Sequence, residues 1–166
     1  MDASDPEHPK PGTPEVFLKT PAAEAAAAFS PDGRWMSYLS FESGRAEVYV
    51  RPFHRAAGGK WQMSTSGGSY SSWSRDGRAL YYLAPEDRRI MVVEYTTPGE
   101  SFAPSTPRVW SKTPVRTTLA TFHALDLAPD GQRFAVLPST EVADSKGSVH
   151  ATFLLNFFDE LQRRLP

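Results

Sequence analysis

The 166-residue chain contains no cysteine. A disulfide framework, a thiolate nucleophile and a cysteine-ligated zinc site are therefore all excluded. It also lacks a long hydrophobic run: the longest candidate, Ala22 to Phe29, is mostly alanine and is interrupted by Glu24. That falls far short of the roughly 20 apolar residues that span a bilayer as a helix. Neither sign of charge dominates, since 18 Lys and Arg face 19 Asp and Glu for a net charge of −1. No global basic field exists to recruit nucleic acid or another polyanion. The N-terminal stretch is acidic and proline-rich, with neither the basic segment nor the apolar segment of a signal peptide. Residues 1–13 read as a disordered arm or linker. A role outside the cytoplasm would need export information from elsewhere.

What is present is a turn written three times. Phe29-Ser30-Pro31-Asp32-Gly33-Arg34-Trp35, Trp73-Ser74-Arg75-Asp76-Gly77-Arg78-Ala79 and Leu127-Ala128-Pro129-Asp130-Gly131-Gln132-Arg133 share one plan. Each has an apolar residue, a small residue and an Asp-Gly tip, and each is followed by an alternating apolar run. Asp-Gly between alternating runs is a strong hairpin signal, because glycine accepts positive φ without a Cβ clash. The glycines recur at intervals of 44 and 54 residues, close to the repeat of a four-stranded propeller blade.

The first unit predicts strands over 24–30, 35–41, 47–53 and 60–65, and the second over 69–74, 79–84, 90–95 and 108–111. The third offers 122–127, 133–137 and 149–157 and lacks an outer strand, while 15–20 at the front has the outer-strand pattern. The expected fold is all-β: about three four-stranded propeller blades over 21–66, 67–111 and 112–158, the last completed by 15–20. A short helical turn is expected over 158–165. Three blades cannot close a ring, since propellers use about four to eight. Two copies would supply six, so self-association as a homodimer is the expected partnership.

These residues resemble the WD-repeat-like blades of TolB-type propellers. The resemblance is carried by Phe-Ser-Pro-Asp-Gly-Arg-Trp with its following Ser-Tyr-Leu-Ser, by Glu42–Arg45 and by Glu47–Phe53. Gly58–Thr65, the Trp-Ser-Arg-Asp-Gly-Arg turn with its Leu-Tyr-Tyr strand, and the tail Leu155–Leu161 are similar to the C-terminal blades of propellers linked to bacterial serine/threonine kinases. The resemblance covers 14–165. It implies an interaction or sensing platform, cytoplasmic as the chain stands and periplasmic or extracellular if it belongs to a longer kinase-linked protein. Such blades also occur in relatives of prolyl oligopeptidase, so the alternative is a substrate-gating propeller without its catalytic domain.

Catalytic and metal chemistry find little footing. Asp32, Asp76 and Asp130 read as turn residues that cap their own backbone amides rather than as a repeated metal site. His8, His54, His123 and His150 are not at ligand spacing with one another. There is no Gly-x-Ser-x-Gly elbow, and Gly58-Gly59-Lys60 lacks the flanks of a phosphate loop. No catalytic residue, metal site or cofactor is expected, and the four tryptophans read as packing between blades. Propeller topology puts the Asp-Gly turns on one face and the loops between second and third strands on the other. That second face would present Glu42, Arg45, Tyr70, Glu86, Arg88, Arg116 and His123. Mixed charge beside an aromatic suits a protein, a peptide or a small polar ligand.

Overall fold

The computed structural model describes residues 13–53, 58–115 and 125–136. Every regular element among them is a β-strand, and all pairings are antiparallel. The first sheet runs in chain order: β1 (Glu24–Phe29), β2 (Trp35–Ser40), β3 (Glu47–Pro52) and β4 (Trp61–Gln62). The second contains β5 (Ser69–Trp73), β6 (Ala79–Leu83) and β7 (Ile90–Thr96). Two short strands, β8 (Ala103–Pro104) and β9 (Arg108–Val109), both pair with β7. The third is the hairpin of β10 (Leu125–Leu127) and β11 (Phe134–Val136).

Each sheet is opened by the repeated turn, and its three copies share one geometry. Gly33, Gly77 and Gly131 have φ of 67°, 66° and 68°, the left-handed region that glycine enters without strain. In the first copy the Gly33 amide donates to Ser30 O (2.9 Å) and the Ser30 amide donates to Trp35 O (2.9 Å). The Ser30 hydroxyl donates to Asp32 Oδ1 (2.6 Å) and accepts from the Trp35 amide (3.0 Å). Ser74 and Asp76 repeat this network at 2.7 and 2.8 Å. In the third copy alanine replaces the serine, and the Arg133 guanidinium holds Asp130 Oδ2 instead (3.0 Å).

The core lies between sheets. Alternation along β6 sends Leu80 and Tyr82 toward the first sheet, where they pack with Trp35, Val48, Val50, Met63, Trp73, Val93, Tyr95 and Phe102. Ala79, Tyr81 and Leu83 point the other way and meet Ile90, Val92 and Leu125, with Tyr70, Trp110 and Phe134 packed alongside. The second sheet is thus buried on both faces, and all five residues of β6 are buried. Trp35, Trp61 and Trp73 pack in the first interface and Trp110 in the second, as the sequence suggests.

The fourth strands are shorter than expected, for a visible reason. The Val48 amide donates to the Ser64 hydroxyl (2.8 Å) rather than to a backbone carbonyl, which ends β4 after Gln62. At the same level of the second sheet the Ile90 amide donates to the Ser111 hydroxyl (2.9 Å), and β9 ends at Val109. The stretch 96–107, between the expected strands 90–95 and 108–111, contributes β8 to the sheet edge and plugs Phe102 into the core.

Residues 15–20, expected as a strand, have no ladder pairing among the described residues. Phe17 instead packs on Phe53, with ring centroids 5.4 Å apart. The expected strand 149–157, the helical turn 158–165 and nearly all of the expected arm lie outside the described residues. Among the described residues no helix is long and apolar enough to cross a membrane.

Candidate functional site

The loops between second and third strands hold four of the residues that the sequence nominates, Glu42, Arg45, Glu86 and Arg88, and the first two are engaged by other side chains or backbone. The Glu42 carboxylate pairs with the Lys60 ammonium, which also sits 4.9 Å from the Tyr49 ring centroid. The Lys60 hydrogen bond holds Glu42 below the usual carboxylate range. Arg45 Nε donates to Glu47 Oε1 (2.7 Å), and its Nη2 donates to Thr65 O. Arg88 adopts φ 54° at the turn, and its carbonyl accepts from the Val115 amide (2.6 Å). Tyr70, on β5, packs against the cluster between the second and third sheets. Arg116 and His123 lie outside the described residues. A cleft of about 280 Å³ opens on this side between Thr65–Gly67 and Glu86–Asp87. Of the nominated residues only Glu86 lines it.

Beside these loops Glu47 forms a buried polar joint. Its Oε1 accepts from Arg45 Nε and from the Gly67 amide (3.0 Å), and its Oε2 accepts from the Ser64 hydroxyl. Glu47 is wholly buried. The carboxylate is satisfied within the chain and fixes the segment that leads from the first sheet into the second. Nothing about it invites substrate.

The inner edge strands share a feature that the sequence does not announce. β1 and β5 each carry a bulge, between Ala25 and Ala28 and between Ser69 and Ser72. The left-handed residue in each is not glycine: Ala26 at φ 53° and Tyr70 at φ 52°. Each stands seven residues before its turn glycine, so the bulge belongs to the repeat. Bulges re-aim side chains at sheet edges and beside sites. Here the first two sheets also meet: Ser37 Oγ of β2 lies 3.0 Å from Ser71 Oγ of β5, and Trp73 Nε1 donates to Ala28 O of β1 (3.1 Å). Small side chains let the strands approach, and these bonds tie them.

The larger cleft, about 640 Å³, lies on the turn side between the second and third turns. Arg75, Asp76 and Arg78 form one wall, Pro129–Gly131 the other, and Tyr81, Glu94 and Tyr95 also line it. Burial raises Tyr95 to about 12, with Asp32 and Asp76 adding to the effect. The second and third turns share one cleft. The Ser74 hydroxyl holds Asp76 below the usual carboxylate range, and the Gln132 amide does the same for Asp130. Sequence reasoning missed Arg75, although the signal was there: arginine stands where the other two turns carry proline.

Among the described residues no three His, Asp or Glu side chains group to hold a metal ion. No family model matches the chain, and no curated protein matches it.

Proposed function

We propose that the three sheets are blades of a WD-repeat-like propeller of the TolB type, and that the chain is a non-enzymatic binding module. The carrying observation is the middle sheet, buried on both faces between two neighbours, with a turn of the same geometry in all three sheets. Sheets packed face to face, each entered by the same turn, are the arrangement of successive blades. The polar groups argue for binding rather than catalysis. The turn aspartates are spent on capping, and Glu47 is spent on a structural joint.

In this reading the module is the sensor or interaction part of a bacterial signalling protein, and its partners are proteins, peptides or small polar ligands. The face bearing Glu42, Arg45, Tyr70, Arg88, Arg116 and His123 remains a candidate surface. Two copies complete a six-bladed ring, with residues 15–20 of each chain pairing into the split blade of the other. Sedimentation and small-angle scattering at micromolar concentration test the assembly: the expected result is a disc with the mass of two chains. A stable monomer would remove the homodimer. Turnover of peptide or ester substrates by the purified chain would remove the non-enzymatic reading.

A further inference from the structure

We propose that the cleft between the second and third Asp-Gly turns binds a carboxylate of an acidic peptide, gripped by Arg75 and Arg78. The argument begins with the repeat. Proline favours this turn position because its fixed φ matches the turn, and it stands there as Pro31 and Pro129. The second copy gives up that preorganisation for an arginine. Among the described residues the Arg75 side chain has no partner.

The residue after each glycine gives the same contrast. Arg34 is consumed structurally, with its Nη2 donating to Gly99 O (2.7 Å) and its guanidinium 5.7 Å from the Trp35 ring centroid. Arg78, its counterpart, makes no side-chain hydrogen bond among the described residues, although its backbone amide is used twice. Two exposed guanidinium groups therefore flank one cleft with their donors unspent.

Of the three carboxylates of the cleft, two are paired with an arginine, and Asp76 is held by its own turn through one oxygen. Asp76 accepts from the Ser74 hydroxyl, Glu94 from Arg108 Nη2 (2.5 Å) and Asp130 from Arg133 Nε. The cleft's unspent donors extend beyond the two guanidinium groups. They include the hydroxyls of Tyr81 and Tyr95, neither of which has a hydrogen-bond partner among the described residues. Burial raises both phenols further above their usual range, which already lies well above neutral pH. Paired arginines with planar donor forks match a carboxylate. The volume is that of a ligand pocket rather than of a single small anion, and Pro129 and the outer edges of the two mostly buried tyrosines line it.

The test is fluorescence anisotropy of the full chain with a dye-labelled, amidated tetraglutamate peptide, beside its tetraglutamine counterpart and inorganic phosphate as competitor. The variants copy the chain's own other turns: Arg75→Pro takes the residue of the first and third copies, and Arg78→Gln that of the third. Tetraglutamate should bind in a salt-sensitive manner and tetraglutamine should not. Each variant should weaken binding by roughly tenfold, while the thermal midpoint of Arg75→Pro does not fall. Arg75→Gln supplies the charge removal if the proline lowers that midpoint. The proposal is overturned if tetraglutamate does not bind, if the charge-removing variants bind it as the parent does, or if phosphate displaces it at matched charge concentration. That last outcome would mark a site for free anions.

Discussion

At the scale of single residues, the repeated turn and the repeated bulge show how differently backbone demands are advertised. The turn needs a left-handed residue and takes glycine each time, so it can be read from the chain directly. The bulge needs one too and takes Ala26 and Tyr70. Neither residue type signals φ above zero, which is why an even strand over 24–30 was the natural expectation. An L-residue there costs about 1–2 kcal/mol, and Ala26 is exposed, so its side chain returns little by packing. Ala26→Gly should therefore raise stability by up to about 1 kcal/mol, the relieved strain being partly offset by the greater freedom of glycine in the unfolded chain. Ala26→Val should lower it by more than about 1 kcal/mol, because a β-branched residue fits this conformation worst. Urea denaturation of both variants checks the pair, and destabilisation by the glycine would show that the strain is not borne at this residue.

At the scale of elements, what holds one sheet to the next is part apolar and part a buried charge. Alternation made β3 legible, and near-continuous apolar runs made β6 and β7 legible, as a sheet covered on both faces demands. The polar joint was not legible: Glu47 sits in an alternating strand and looks like one more solvent-facing residue, yet it is fully buried. Its partners Ser64 and Gly67 are distant in sequence and meet it only once the sheets are assembled. For the same reason no strand was expected within 96–107, because one phenylalanine in a polar stretch does not reveal that it fills the core beside Trp35, Trp73 and Tyr95. Glu47→Ala would leave the Gly67 amide and the Ser64 hydroxyl without their acceptor in a buried setting. The expected loss is about 3 kcal/mol. Glu47→Gln, which can accept from one of them, should cost less. Thermal and urea melts check the order, and equal melts for parent and Glu47→Ala would mean that the joint contributes nothing.

At the scale of the whole molecule, the middle sheet belongs to two cores at once, and this governs how the fold comes apart. Leu80 faces the first interface and Tyr81 the second from adjacent positions of one strand. Neither core survives if that strand is lost, so the three sheets should unfold together. Leu80→Ala removes a fully buried side chain and should cost about 3 kcal/mol by transfer and cavity terms. Tyr81→Phe keeps the ring, which packs edge-on against Trp110 and Phe134, and should leave stability nearly unchanged. Tyr81→Ala should cost about as much as Leu80→Ala, although the two residues serve different interfaces. Val109, at a sheet edge and 44% exposed, gives the contrast: Val109→Ala should move stability by no more than about 0.5 kcal/mol. Tryptophan fluorescence and far-ultraviolet circular dichroism should report one coincident transition for every variant. Separate transitions in Leu80→Ala would show that the sheets are independent and that the middle one does not join its neighbours into one cooperative unit.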